Sequence, residues 1–338
     1  MRVLVTGANG YLGRAVVELL GKAGHEPIAM VRGAAAVRAP TRVADLLDEG
    51  GLRAALDGVS AVCHLAGLTR ARESTADPLR YFRVNTGGAV ALLEAMAAAG
   101  VARIVFASTG SIYGAPERQP MTELLPDAPP HPYAASKAAA EWAVRAQAHT
   151  GRLSATVLRL MNLAGGADPD PTRLIPRTLA AATNDSALEV NGDGSAVRDY
   201  LHVMDAAAAF VACVEKTPPP GGFEQYLIGS GHGSSILDVV AAVERRTGRR
   251  IRLIHRPPAL EPAALISDPS KAAAELDWHP RQSDLETIVR DTWHAIRDDQ
   301  RRNSPAPGQL TVPNRPGRAG KRSAAGSSRG AHRRPGEP

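Results

Sequence analysis

The chain has 338 residues, 44% of them apolar and 22% charged, with a formal charge of +6. That charge is uneven: residues 301–338 hold nine basic side chains and one acid, +8, which leaves −2 for the first 300 residues. A slightly acidic, apolar-rich body of this size excludes whole-chain disorder and a fold built around phosphate-backbone contacts, and the longest nearly uncharged apolar run, residues 206–214, is less than half of the ~20 residues a membrane-spanning helix needs.

Residues 2–6 (RVLVT) form a short continuous apolar run, the pattern of a strand buried on both faces. Nothing before it reads as a secretory signal. The run leads into Thr6-Gly7-Ala8-Asn9-Gly10-Tyr11-Leu12-Gly13, glycines spaced GxxGxxG that open a predicted helix over residues 11–24. Glycine permits a tight turn and lets the backbone approach a pyrophosphate, whose charge the N–H groups at the helix start would receive. A glycine triplet alone is an ordinary turn; the strand before it and the helix after it make it a dinucleotide cradle.

A second strand is predicted at residues 27–31, ending in Met30-Val31-Arg32-Gly33. An acid there would accept hydrogen bonds from an adenosine ribose, whereas Arg32 either pairs with a 2′-phosphate or is a solvated arginine. Asp45 in VADLL either contacts adenine or caps a helix. Strands follow at residues 61–65, 103–107 and 155–160, with helices between them at 52–56, 86–99 and 134–149. Strand and helix alternating in this way predict an α/β doubly wound parallel sheet of the Rossmann type. Cys63 and Cys213 sit in apolar runs with neither disulfide nor metal-ligand spacing, so both are expected to be buried thiols in the reducing cytoplasm.

The strand at 103–107 runs into Ser108-Thr109-Gly110-Ser111-Ile112-Tyr113-Gly114, a hydroxyl-rich loop at the C-terminal strand end, where doubly wound folds place their sites. Thr109 or Ser111 is placed to donate a hydrogen bond to an oxygen changing between alcohol and carbonyl. Tyr133-Ala134-Ala135-Ser136-Lys137 puts a phenol and an ammonium one helical turn apart on one face. Only five of the 40 basic residues are lysines, and one falls at this spacing. A neighbouring ammonium is expected to lower the phenol pKa toward neutrality, which suits general acid/base work. Beyond residue 162 the pattern loosens into Gly/Pro-rich loops, with helices at 236–247, 269–276 and 285–296, a second, smaller mixed α/β domain. Pro, Gly, Ser and Arg dominate from residue 301 on, which predicts a disordered basic tail.

With TGxxGxxG, ASTGSIYG and YAASK in this order, the chain resembles the extended short-chain dehydrogenase/reductase family, specifically its UDP-glucose 4-epimerase-like (NAD-dependent epimerase/dehydratase) members, over about residues 2–297. His64-Leu65-Ala66-Gly67-Leu68, Asn85 in YFRVNTGG, Asn162 in LRLMNLAG, VRDYLHV from Val197, LDVV from Leu237 and DPSK from Asp268 add to the likeness. The resemblance implies NAD as cofactor, with NADP as the alternative raised by Arg32. It implies cofactor contacts from Gly7, Asn9, Gly10, Tyr11, Leu12, Gly13, Arg32, Asp45, Leu46, Leu65, Ala66, Gly67, Asn85, Tyr133 and Lys137. Thr109 and Tyr133 would flank the sugar O4, with Lys137 on the nicotinamide ribose. Asn162 and Arg198 would contact the nucleotide diphosphate, and Arg256 is the nearest arginine to one expected on it.

The implied organisation is a Rossmann domain of residues 1–164, joined by about 196–230 packing back on it, a nucleotide-sugar domain of 165–195 and 231–299, and a tail of 300–338. A homodimer through the helices at 86–99 and 134–149 is implied, with no membrane and no specific nucleic-acid partner. The sequence departs from classical members at Thr69, where they have lysine, and at Leu160 and Met161, where they have an aromatic pair. Pro257 and Pro258 stand near the expected diphosphate arginine, and no acid ends the second strand. The expected activity is nucleotide-sugar 4-epimerisation by transient C4 oxidation and hydride return. The alternatives are an NADPH-dependent nucleotide-sugar 4-ketoreductase and a non-catalytic dinucleotide sensor. A 4,6-dehydratase is disfavoured because Gly110 and Ser111 stand where such enzymes carry Asp-Glu.

Overall fold

A computed structural model describes residues 1–258 and 261–303 of the chain. In chain order its first part comprises β1 (Arg2–Thr6), α1 (Tyr11–Lys22), β2 (Glu26–Val31), β3 (Thr41–Val43), α2 (Glu49–Ala55), β4 (Ala61–His64), α3 (Ala71–Ser74) and α4 (Pro78–Tyr81). A π-helical turn (Phe82–Gly87) leads into α5 (Gly88–Ala99), and β5 (Arg103–Thr109), α6 (Pro132–Gln147) and β6 (Ser154–Leu160) follow. The remainder comprises β7 (Asn162–Ala164), α7 (Leu174–Thr183), β8 (Leu188–Asn191), β9 (Val197–His202), α8 (Val203–Glu215), β10 (Phe223–Ile228), β11 (Gly233–Ser235), α9 (Ile236–Thr247), β12 (Leu253–Arg256), β13 (Ala264–Leu265), α10 (Ser270–Leu276) and α11 (Leu285–Asn303).

Seven strands form one sheet in the order β3-β2-β1-β4-β5-β6-β10, every pairing parallel. The order reverses between β1 and β4, the switch point outside which doubly wound folds open a crevice. Sheet strands are apolar on consecutive residues because both faces are covered. Leu4, Ile28, Val62 and Phe106 meet α2, α5 and α6 on one face, while Val3, Val5, Cys63 and Val105 meet α1 and α8 on the other. Cys63 and Cys213 are both free and buried in that second layer. A third core, built on Ile175, Leu179, Val190, Val239, Val243 and Ile288, holds α7, β8, α9 and α11 together. A small sheet of β7, β9, β11 and β13 and the parallel pair β8–β12 complete the described fold. No described helix is long and apolar enough to cross a membrane.

Three differences from the sequence reading have local causes. The helix expected from residue 86 is preceded by the π turn, a wider winding that directs Asn85 inward. The helix expected from 134 begins at Pro132, because proline suits the first helical position and His131 caps it. The helix expected to stop at 296 runs to Asn303, into the stretch expected to be disordered; its apolar side packs Ile288, Val289 and Trp293, while Arg301 pairs with Asp298 at 4.0 Å on its exposed side. The tail expectation for residues 304–338 lies outside the described residues.

Candidate active site

The glycine turn after β1 is sterically obligatory. Gly7 has φ +68°, and a Cβ on it would lie 2.9 Å from Ala66 N; one on Gly13 would lie 2.2 Å from Gly7 O. The turn therefore presses α1 against its own strand and against the β4 loop. α1 starts at Gly10 with no side chain capping it, so N–H groups of its first turn remain for a ligand. These groups open into a cleft of about 760 Å³ along the C-terminal strand ends. Every expected cofactor-binding residue except Asn85 lines it, as do Thr109 and Asn162. Arg32 is exposed at the cleft wall, and Asp45 accepts from Leu47 N at 2.9 Å in a turn of its own.

Behind the cradle lies a buried lock. Thr6 Oγ1 accepts from both Leu65 N and Ala66 N at 3.1 Å, so its single proton goes to His64 Nδ1, 2.7 Å away. That leaves the His64 proton on Nε2. Burial, helped by the Lys137 charge, pushes this imidazole down to about 3, so it is neutral. Asn85 is a correction to the sequence reading, because it stands behind the loop and its amide is already used. It accepts from Leu68 N (2.8 Å) and donates to Leu68 O (3.1 Å) and Ser136 Oγ (3.0 Å). Thr86 donates to Ser136 O at 2.9 Å. Asn85 thus ties the Ala66–Gly67–Leu68 wall to α6.

Thr109 at the end of β5, Tyr133 in the first turn of α6 and Lys137 one turn on all face the cleft. The expectation that Lys137 lowers the phenol pKa is not met in this structure. Burial pushes Tyr133 up to about 12, opposed by a hydrogen bond with Thr109 and by the charge of Arg173. The physical reason is desolvation, which outweighs the cations around the cleft. Lys137 is itself buried, its ammonium 4.4 Å from the Phe106 ring centroid, and burial brings it down to about 8 against the pull of Glu141. The Tyr133 ring contacts two others: His131, nearly parallel at 5.9 Å, and Tyr81, edge-on at 6.4 Å.

A buried ion network supports the trio. Arg159 on β6 pairs with Glu141 on α6 (2.6 Å) and with Asp127 (2.7 Å), and lies over the Tyr113 ring at 4.6 Å. Glu141 also accepts from Ser108, the residue before Thr109. The catalytic helix and the hydroxyl loop are thereby referred to the same strand. At the cleft mouth, Tyr11 donates to Gly165 O, and Arg173, over the Tyr11 ring at 5.5 Å, pairs with Asp168 at 3.3 Å.

Arg198 and Arg256 are not brought to the cleft. Arg198 donates to Val197 O (2.7 Å) and Pro262 O (2.9 Å) and pairs with Glu261 at 2.6 Å. Arg256, on the outer pair β8–β12, is exposed and pairs with Glu189 at 2.5 Å. Both side chains find their carboxylates closer than the crevice. Sequence reasoning missed Thr6, His131, Glu141 and Arg173. Glu141 was legible as one turn beyond Lys137, but Arg173 sits in a Pro/Asp loop with no periodic signal. No group of three or more metal-ligating side chains occurs among the described residues.

The uncapped helix start, the glycines that admit no Cβ and a cleft of this volume fit a dinucleotide, with a phenol in the same cleft for proton transfer. Residues 3–229 match the family described as NAD dependent epimerase/dehydratase. A UDP-glucose 4-epimerase of Streptomyces lividans is 35% identical over 317 residues, covering 86% of this chain and 95% of the relative. One from Bacillus subtilis is 36% identical, covering 87% and 96%. The crystal structure of UDP-glucose 4-epimerase from Brucella ovis in complex with NAD superposes with a TM-score of 0.82 at 33% identity, covering 87% of this chain and 98% of its own. A phosphate cradle, a paired tyrosine and lysine and this breadth of likeness place the chain in the NAD-dependent epimerase/dehydratase family.

Proposed function

We propose that the protein is a nucleotide-sugar 4-epimerase of the UDP-glucose type that uses NAD and recycles it within each turnover. The observation that carries this reading is the convergence of Thr109, Tyr133 and Lys137 at the C-terminal end of β5, in the same cleft as the glycine turn. The names of the relatives and the NAD bound to the Brucella ovis enzyme support it.

NAD, when bound, supplies a hydride acceptor that can return the hydride to either face of a ketone. Tyr133 takes the proton of the sugar hydroxyl and returns it, with Thr109 holding the oxygen through its hydroxyl. The phenol, up to about 12 in this structure, is a poor base until positive charge accompanies it. Arg173 and Lys137 are cations of this chain that line the cleft, and Lys137 would also hold the cofactor ribose. The α1 N-terminus would receive the cofactor diphosphate. Gly10 and Gly13 would lie at that contact, and Leu65 to Gly67 line the same cleft. Asn162 is the substrate-side residue in the cleft. We also propose a homodimer in the cytoplasm. Its support is that Phe82, Val90 and Trp142 expose apolar rings or branches on the π turn, α5 and α6, and that both thiols are free and buried.

The test is Tyr133→Phe, which keeps the ring and removes the proton. Turnover of UDP-glucose or UDP-galactose should fall at least ~100-fold, with substrate affinity retained. A variant that keeps half its activity would overturn the assignment of Tyr133.

A further inference from the structure

The catalytic helix begins at an unusual cap. His131 is the residue before Pro132, with extended backbone (φ −155°, ψ 161°), and its Nδ1 accepts from Ala134 N at 3.2 Å while its carbonyl accepts from Ala135 N at 3.1 Å. Helix N-caps are ordinarily Ser, Thr, Asp or Asn, whose oxygens accept at any pH above the carboxylate range. An imidazole accepts through Nδ1 only while that nitrogen carries no proton. The same ring lies nearly parallel to Tyr133, 17° between planes and 5.9 Å between centroids, and Tyr81 meets Tyr133 edge-on. His131 therefore touches the proton-transfer residue twice, through the ring and through the first turn that carries it. Tyr133 sits in that turn, and its carbonyl accepts from Ser136 Oγ at 2.8 Å.

Protonation of His131 would convert the acceptor into a donor facing the Ala134 N–H. It would also put a positive charge at a helix N-terminus, where the aligned peptide dipoles oppose it. Both effects favour the neutral ring, and half-burial lowers its pKa further from the usual histidine value. The titratable group facing the ring is Tyr133 on its own helix, which Tyr81 of α4 meets edge-on in turn, and no carboxylate or cation among the described residues shifts the imidazole.

We propose that His131 is a positioning residue: as a neutral imidazole it caps α6 and braces the Tyr133 ring, and its protonation releases both, so that turnover is lost on the acid side of neutrality. The inference rests on Tyr133 as the proton-transfer group. Asp168 and Glu141, carboxylates raised by burial, are the competing source of an acid limb.

The experiment measures kcat and KM of the full chain from about pH 8 down to about 4.5, a span that covers a histidine titrating below its ordinary value. His131→Asn keeps a cap acceptor that does not titrate, and His131→Phe keeps a ring without an acceptor. Wild type should lose turnover toward the lower pH with KM little changed. H131N should start slower, having lost the ring contact, but show no further acid loss. H131F should be reduced at every pH by about fivefold or more in kcat, the order of effect a lost N-cap exerts on a helix start. The imidazole ¹⁵N shifts of His131, identified by their absence in H131N, give its titration independently of turnover. An acid limb that persists unchanged in H131N, or a His131 titration that does not coincide with the wild-type limb, overturns the proposal. Retained activity in Tyr133→Phe overturns the reading of Tyr133 instead, which keeps the two failures distinct.

Discussion

His64 shows how one buried side chain sets a pH dependence far from any charge pair. Its imidazole is pushed down to about 3 in the folded protein from 6.5, burial being the larger cause and Lys137 the smaller. Because the folded-state value is depressed, its contribution to stability is present in full above pH 6.5 and is lost as pH falls toward 3, where the unfolded chain takes up a proton that the folded one refuses. Thermal melts should therefore show wild type losing stability between about pH 7 and 5, well before ordinary carboxylates titrate. His64→Asn, whose amide oxygen can still accept from Thr6, should begin less stable and vary less over that interval. Equal slopes for the two proteins would show that His64 is not the group responsible. His64, which opens HLAGL, was legible as part of a motif. That its role is to receive the Thr6 proton depended on β1 and β4 lying side by side, with Thr6 opposite His64 in register.

At the scale of elements, the small sheet is held to its loops by one carboxylate. Asp199 on β9 is fully buried and accepts from Ser230 N (2.7 Å), Ser230 Oγ (2.6 Å), Gly231 N (3.1 Å), Ser267 N (3.1 Å) and Ser267 Oγ (2.5 Å). These bonds fasten the turn after β10 and the segment after β13 to β9, next to Tyr200 and Leu265, which line the cleft. Removing the acceptor strands several buried donors at once, so Asp199→Ala should destabilise the protein by roughly 3 kcal/mol or more, with Asp199→Asn retaining part of the difference. Denaturant melts compare the three, and an alanine variant within ~0.5 kcal/mol of wild type would contradict the account. In sequence Asp199 stands beside Arg198 in VRDYLHV, but Arg198 turns to Glu261, because strand alternation sends adjacent side chains to opposite faces.

For the whole molecule, the helices α5 and α6 and the π turn present Val90 (38% exposed), Trp142 (62%) and Phe82 (37%) to solvent, three of the exposed large apolar side chains among the described residues. Apolar surface of this kind on paired helices suits a symmetric contact between two copies. Trp142→Glu should accordingly shift the protein toward monomer in size-exclusion chromatography with light scattering at micromolar concentration, while leaving the far-ultraviolet spectrum unchanged. A wild-type protein that elutes as a monomer at that concentration would remove the basis for the homodimer.

The succession of β1, β2, β4, β5 and β6 and the location of the glycine turn, of Thr109 and of the Tyr133–Lys137 pair were legible in the chain because each rests on local rules: period, turn chemistry and the spacing of one helical turn. The short strands β3, β7, β11 and β13 were not, since two or three residues carry no period and are extended only because a neighbour supplies the hydrogen bonds. Charge states were equally beyond local reading. Spacing put an ammonium beside a phenol, but how deeply each is buried decides the outcome, and burial raises Tyr133 while lowering Lys137. Which residues touch the ligand and which hold the wall behind it is a question of depth. Asn85 belongs to the motif, yet the wide π turn sends its amide to Leu68 and Ser136 instead of to the cleft. Motif and period named the residues of the site; packing, through desolvation and competing partners, assigned them their places.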